Sequence, residues 1–364
     1  KEKLMYRDLK APFPYFGGKR TVASEVWRRF GTVKMYVEPF FGSGAVLLAR
    51  PGTPPFGNEI ANDFDGNICN FYRAIQKDPE TVAEYASFPV NHIELHARRN
   101  YIIENYNSMR DRLIQDVDFY DSKLAGFWVW VASCWIGPLD FIKKSDGLGK
   151  VIELKTNKGI ISDNIVGGAI CRIPHLTTEQ GIKRKEVLSQ RPHIAKSDGV
   201  FAEQICKRIN VIHNKGLLAI KSPLKYLKRM QERLQDVKVV CGDWTQVLGG
   251  NWRTEGKRVC GVFLDPPYSA DRTGVYNHDS FNVSHDVRSW CIENGSNPLY
   301  RIALCGYDGE HNELTEKHNW DVYEWKAQGG YANQAKGESR GKENKSKERI
   351  WFSPYCLKDL LLFD

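Results

Sequence analysis

The sequence predicts an α/β protein with a predominantly parallel sheet. Residues 33–77 follow the order strand, glycine-bearing turn, helix, strand, acidic residue and helix, which is typical of a nucleotide-binding half of such a fold. Apolar strands recur at 237–241, 259–264 and 299–304. The chain has 364 residues, which suffices for one large domain or two moderate ones.

Turn residues and helical spacing mark the elements of the first part of the chain. Gly17-Gly18 marks a turn, and Gly66 to Lys77 shows helical spacing of its apolar residues. The expected elements are a helix at 21–30, a strand at 33–38, a turn at 39–44, a helix opening at 45–50, a strand at 55–60 and a helix at 66–77.

The composition changes in the middle of the chain. Residues 78–136 have the spacing of helices, whereas 137–221 are rich in Gly, Lys, Asn and Ser and predict an inserted, loop-rich module. A helix is expected again at 223–234, and a closing strand at 349–354. We therefore expect three parts: a catalytic domain of 1–77 and 222–364, a helical part of 78–136 that packs on it, and an insert of 137–221.

Charge is concentrated in the same middle region. The formal net charge is +8, but residues 140–235 alone carry 19 Lys and Arg against 9 Asp and Glu. Such a basic segment predicts a polyanion-binding surface, although a solvated lysine-rich face gives the same composition. No apolar run approaches the roughly 20 residues of a membrane span, and no secretory signal is evident. Nine dispersed cysteines without a CxxC pair indicate a reducing cytoplasm.

The tetrapeptide Asp265-Pro266-Pro267-Tyr268 follows the apolar strand at 259–264. The carboxylate can accept one N–H of an exocyclic amine, the Asp265 or Pro266 carbonyl can accept the other, and Tyr268 can stack on the ring. The prolines restrict the backbone and remove competing donors. The four residues therefore suit an extruded nucleobase, while the same string also occurs in ordinary turns.

Three blocks carry a family resemblance: PFPYFGGKR at 12–20, VEPFFGSGAV at 37–46 and FLDPPY at 263–268. In this order they resemble Dam-like DNA adenine-N6 methyltransferases (D12 class, alpha-group motif order), with the basic insert where that family has its target-recognition domain. The resemblance covers 11–77 and 222–354. It implies a Rossmann-like, S-adenosylmethionine-dependent methyltransferase sheet with an inserted, loop-rich or helical target-recognition domain.

The resemblance also implies roles for cofactor-binding residues. Glu38 would face the ammonium of S-adenosylmethionine, Asp63 its ribose and Lys19 its carboxylate, with Asp65 as a rival of Asp63 that more naturally caps the next helix. Asp243 would bind the cofactor adenine, or else cap a helix. The full expected set is Tyr15, Phe16, Gly17, Gly18, Lys19, Glu38, Pro39, Phe40, Gly42, Ser43, Gly44, Asp63, Asp243 and Trp244.

The predicted function is site-specific methylation of adenine N6 in double-stranded DNA by base flipping, without a metal, in the cytoplasm of a prokaryotic cell or phage-infected host. Candidates for phosphate contact in the insert are Lys143, Lys144, Lys183, Arg184 and Lys185. Cytosine-N4 methylation is disfavoured because that family motif usually begins with Ser. An RNA or protein-amide methyltransferase and a catalytically silent DNA-binding relative remain alternatives. The recognition sequence, the biological role and the oligomeric state stay open.

Overall fold

A computed structural model describes residues 9, 11–13, 15, 18–88, 92–134, 221–250, 252–268, 280–325 and 348–358. The predicted insert, apart from the backbone of its last residue, lies outside these described residues. So do the predictions made for Phe16, Gly17 and the five basic residues of the insert.

Seven strands form one sheet in the described part of the chain, in the order β3-β2-β1-β4-β5-β7-β6. Strands β1 to β5 are parallel, whereas β7 runs antiparallel to both β5 and β6. This sheet confirms the predicted α/β, Rossmann-like methyltransferase fold. The strands are β1 Met35–Glu38, β2 Asn58–Asp63, β3 Val237–Cys241, β4 Cys260–Leu264, β5 Tyr300–Tyr307, β6 Asp321–Glu324 and β7 Glu348–Phe352.

The central strands are apolar because they are covered on both faces. Every residue of β1 and β4 is buried, as expected for parallel strands inside an α/β sheet. Gly261, the second residue of β4, leaves room for the ring of Phe30; a Cβ at this position would lie 3.0 Å from that ring.

The described helices are α1 Arg20–Phe30, α2 Ala45–Leu48, α3 Gly66–Lys77, α4 Pro79–Tyr85, α5 His92–Gln115, α6 Ser122–Cys134, α7 Lys221–Leu234, α8 Thr245–Leu248, α9 Ser280–Asn294 and α10 Asn312–His318. Asp65 caps α3, since its side chain accepts the Asn67 amide at 3.0 Å, as predicted. No described helix is both long and apolar enough to cross a membrane.

The chain divides into two compact units. The first contains the described residues between Gly17 and Phe64 and those from Asp236 onward, and it therefore holds the whole sheet. The second contains the described residues between Leu9 and Phe16 and those between Asp65 and Gln235. Helices α3 to α7 belong to this second unit.

Close packing of aromatic rings and helices holds the second unit together. Phe13 meets Trp128 edge-on at 4.7 Å. Helices α4 and α6 approach so closely at Gly126 that a Cβ there would lie 2.5 Å from the Cβ of Tyr85. Arg98 is buried, and its guanidinium lies 4.4 Å from the ring centroid of Trp130.

Several elements differ from the sequence-based expectation. The second strand was expected at 55–60, but β2 begins at Asn58, because Pro55 has no amide hydrogen for a ladder and Gly57 has a φ of 86°. The strand also extends beyond the predicted end at residue 60, so Asp63 is the last residue of β2 rather than a residue that follows it. Strand β6 and helices α9 and α10 were not predicted.

Candidate active site

The topology places the candidate site at the carboxyl ends of β1 and β4. The chain runs from β1 to β2 and β3 on one side and from β4 to β5 on the other, so strand order reverses between β1 and β4. Ligands of open α/β sheets bind in the crevice at such a switch point. Glu38 ends β1 and Asp265 directly follows β4, so these two predicted residues belong to this edge.

The side chain of Asp265 is held at both oxygens. The Tyr268 hydroxyl donates to Oδ1 at 2.9 Å, and the Lys19 ammonium lies 3.0 Å from Oδ2. Lys19 is buried, with 4% of its side chain exposed, and its Nζ also lies 5.3 Å from the centre of the Tyr268 ring. Each carboxylate oxygen has a second lone pair, so Asp265 can still accept an N–H from a substrate amine.

The surroundings of Lys19 keep it a cation. Burial lowers the pKa of Lys19, but the charges of Asp265 and Glu348 act against burial, and the net shift raises it. Sequence reasoning assigned this ammonium to a cofactor carboxylate, whereas the structure pairs it with Asp265 and, at 3.6 Å, with Glu348. Its role is therefore tied to the tetrapeptide as well as to the first block.

Tyr268 is fixed from two directions. Its hydroxyl bonds to Asp265, and its ring meets Tyr307 of β5 edge-on at 4.7 Å. Burial and then the negative charge of Asp265 raise the pKa of Tyr268 well above its ordinary value, so the phenol stays neutral and can remain the donor of this bond.

Glu38 is a buried carboxyl with 2% exposure. It accepts the Tyr36 hydroxyl at 2.8 Å and the backbone amide of Leu47. Burial raises its pKa well above the ordinary value; the Tyr36 bond opposes this shift, and the charge of Asp265 adds to it. A cation placed beside Glu38 would favour its ionised form, which is the chemistry expected of an ammonium-binding group.

The glycine turn after β1 is joined to the ends of β2 and β3. Gly42 and Gly44 have φ values of 49° and 64°, which L side chains rarely adopt. The Gly42 amide donates to Asp63 Oδ2 at 2.8 Å, and Asn62 Nδ2 donates to the carbonyls of Pro39 and Gly242. The predicted turn and Asp63 therefore lie together, and Asn62 is a linking residue that sequence reasoning did not identify.

Two further predicted residues lie at the end of β3. The ring of Trp244 stacks on Phe40 with centroids 6.3 Å apart. The exposed Asp243 accepts the Thr245 amide at 2.9 Å and the Thr245 hydroxyl through Oδ1, so it bonds to the first residue of α8, whose N-cap position is Trp244. Of the remaining predicted set, Ser43 is buried and Gly18 is exposed, both in the first unit. Tyr15 belongs to the second unit, 41% exposed and edge-on to Phe13.

Besides Asn62, three further residues of the site escaped sequence reasoning. Glu348 begins β7, Tyr307 ends β5, and Cys305 lies within β5. Burial, together with the charge of Asp265, raises the pKa of Cys305 well above its ordinary value, so its thiol is neutral. The only sequence signal was the position of Glu348 just before the predicted closing strand. Within the described ranges, no group of three or more His, Cys, Asp or Glu could hold a metal ion.

A comparison with protein families gives a match over residues 15–135 to the D12 class N6 adenine-specific DNA methyltransferase family. This confirms the predicted resemblance to the D12 class. The D12-class match contains Lys19, Glu38 and Asp63 and ends before Asp265. It supports DNA methyltransferase activity directed at adenine N6, in a family that generally uses S-adenosylmethionine. A search of curated proteins found no match.

Proposed function

We propose that this protein transfers a methyl group from S-adenosylmethionine to the N6 atom of adenine in double-stranded DNA, with the target base turned out of the helix. The observation that carries the proposal is Asp265-Pro266-Pro267-Tyr268 at the switch point, with the Asp265 carboxylate held by Tyr268 and Lys19. A base inside a duplex is out of reach of such a pocket, so flipping is part of the proposal.

The residues at the edge of β1, β2 and β3 fit S-adenosylmethionine. Glu38 is a buried carboxyl suited to an ammonium, and Asp63 ends β2, where a carboxylate can accept ribose hydroxyls. Glycines at 42 and 44 allow backbone to approach a ligand closely, and Phe40 with Trp244 offers an aromatic surface. When bound, this cofactor supplies a methyl group on a positively charged sulfur.

The chain's own residues position and polarise the target amine. The N6 lone pair of adenine is delocalised into its ring and is a poor nucleophile. Hydrogen bonds from N6–H groups to Asp265 and to the Pro266 carbonyl localise that lone pair on nitrogen. Tyr268 stacks on the base, and its bond to Asp265 keeps ring and acceptor in fixed relation. Catalysis is then mostly positioning and electrostatics.

The DNA partner and the compartment are also part of the proposal. The basic residues of the insert supply phosphate contacts, namely Lys143, Lys144, Lys183, Arg184 and Lys185. The cysteines in the described part of the chain are free and buried, which supports a reducing compartment. We therefore place the activity in the cytoplasm of a prokaryotic cell or of a phage-infected host.

The test is methyl transfer from labelled S-adenosylmethionine to unmethylated genomic DNA, followed by sequencing of modified bases. We expect N6-methyladenine in one short motif. Asp265→Ala should lower the rate by at least about a hundredfold, while Asp286→Ala, an exposed aspartate of α9, should leave it unchanged. Label on RNA or protein instead, or cofactor binding with no transfer to DNA, would reject the proposal in favour of its alternatives.

A further inference from the structure

The last strand of the sheet brings a carboxylate to the candidate active site. Because β7 runs antiparallel to β5, its first residue, Glu348, pairs with Tyr307, the last residue of β5. Glu348 therefore lies at the same edge as the carboxyl ends of the parallel strands. Its side chain is 13% exposed, and its Oε2 lies 3.6 Å from Lys19 Nζ.

Lys19 thus faces two carboxylates that belong to different parts of the sheet. Asp265 follows β4 and Glu348 begins β7, at 3.0 Å and 3.6 Å from the same ammonium. A lysine side chain has a flexible four-carbon stem, and a buried ammonium needs partners that compensate its lost hydration. Two carboxylates and the Tyr268 ring lie around this ammonium.

We propose that Glu348 is a positioning residue for methyl transfer: its carboxylate holds the Lys19 ammonium against Asp265 and so fixes the oxygens that receive the target amine. The effect of Glu348 on methyl transfer rests on the proposed function, whereas its effect on Lys19 does not. Glu348 lies outside the part of the chain that matches the D12 class, and the three sequence blocks do not contain it.

Steady-state kinetics test the effect on the reaction. Glu348→Gln keeps the size of the side chain and removes its charge; we expect kcat to fall about tenfold to a hundredfold with KM values changed less than about twofold. Glu348→Asp keeps the charge and should recover part of the rate. Glu324→Gln is the matched control, because Glu324 lies on the adjacent strand β6 with 72% exposure and pairs with Arg349.

A second measurement follows Lys19 itself and needs no substrate. The groups that face Lys19 are Asp265, Cys305, Glu348 and the ring of Tyr268, and the charge of Asp265 also acts on Glu38. Since Glu348 raises the pKa of Lys19, its neutralisation should move the titration of the Lys19 ¹⁵Nζ signal to lower pH. The signal is assigned by its loss in Lys19→Met, and Glu324→Gln should leave it in place.

The two measurements separate the possible outcomes. A fall in kcat together with the shifted titration supports the proposal. An unshifted titration overturns it even if kcat falls, because Glu348 would then act on the fold rather than through Lys19; unchanged kcat in an active enzyme overturns it as well. If the wild-type protein fails to methylate adenine, the proposed function is rejected, and the titration alone then decides whether Glu348 holds Lys19.

Discussion

Two buried glutamates on neighbouring strands have opposite electrostatic surroundings. Glu38 on β1 has hydrogen-bond donors but the repulsive Asp265 nearby, whereas Glu59 on β2 accepts the Arg50 guanidinium at 3.0 Å. A buried carboxylate without a cation lowers the stability of the fold. When a buried carboxylate is paired with a cation, removing it destabilises the protein, because the cation is left buried without its partner. Glu59 is thus stabilised by an ion pair within the fold, whereas we propose that Glu38 gains its cation from the cofactor.

Glu38→Gln should stabilise the cofactor-free protein at pH 8. The pKa of Glu38 is raised in the folded state, so the native protein binds a proton that the unfolded chain releases above about 4.5, and stability falls as pH rises through the folded pKa. We expect a gain of about 1–3 kcal/mol at pH 8, little gain at pH 4, and at least about tenfold weaker S-adenosylmethionine binding. Urea unfolding and calorimetry measure these effects.

Glu59→Gln is the control for this prediction and should lower the stability of the protein. It leaves the Arg50 guanidinium buried beside a neutral amide, so it should destabilise the protein by about 2–4 kcal/mol. If Glu38→Gln destabilised the protein at pH 8 as Glu59→Gln does, the electrostatic interpretation of Glu38 would be wrong.

Some residues of the candidate site could be predicted from the sequence, and others could not. Asp265, Tyr268, Glu38 and Asp63 lie in short blocks whose residue types and order are informative in themselves. Glu348 carries no such block, because it reaches the site through the register of β7 on β5. Strand register is set by the completed sheet, so sequence reasoning could not place this carboxylate beside Lys19.

At the scale of elements, the turn between β5 and α10 contains a buried histidine. His311 precedes α10, its ring meets Trp351 edge-on at 5.0 Å, and a Cβ on Gly306 would lie 2.7 Å from it. Burial lowers the pKa of His311 to about 4; Arg288 and His285 act in the same direction, and Glu310 opposes them. The neutral ring is therefore part of the packing between β5 and β7.

This turn should make the protein sensitive to acid. Between pH 6.5 and about 4 the unfolded chain takes up a proton that the native ring does not, so stability should fall by about 3 kcal/mol as pH decreases through this range. His311→Phe should remove that part of the pH dependence of urea unfolding. His318→Phe, in the same helix α10, should retain it; equal pH dependence in both variants would contradict the assignment.

The close contact of α4 with α6 predicts that replacing a helical glycine by alanine lowers the stability of the protein instead of raising it. Gly126→Ala in an open helix would stabilise by about 1 kcal/mol through helix propensity. Here the added methyl would lie 2.5 Å from the Tyr85 Cβ and 2.9 Å from the Val82 carbonyl, so we expect destabilisation of about 1–3 kcal/mol. Thermal unfolding measures the change, and a stabilised variant would show that the two helices separate easily.

Elements with strong periodicity were predictable, whereas elements fixed by partners were not. The run from 259 to 264 predicts β4 because it is apolar throughout, and α1 has clear helical spacing. Strand β6 has only four residues with alternating exposure, and it pairs with the distant β7. The start of β2 was misplaced because Pro55 and the two residues after it were counted as strand residues.

At the scale of the whole molecule, the net charge of +8 and its concentration in residues 140–235 predict salt-dependent DNA binding. Replacing the five basic residues proposed for phosphate contact by Gln should lower the slope of log affinity against log salt by up to about 4, without changing cofactor affinity. An unchanged slope would reject these residues as phosphate contacts. The control neutralises five exposed lysines of the first unit: Lys34, Lys238, Lys257, Lys317 and Lys358.

The antiparallel direction of β7 has a consequence for how such an enzyme can diversify. Five ladder pairs, from Ala303 with Phe352 to Tyr307 with Glu348, set the position of Glu348 independently of the chain that precedes it. Changes in the length or sequence of residues 326–347 should therefore leave the Glu348 carboxylate near Lys19, as long as these five pairs form.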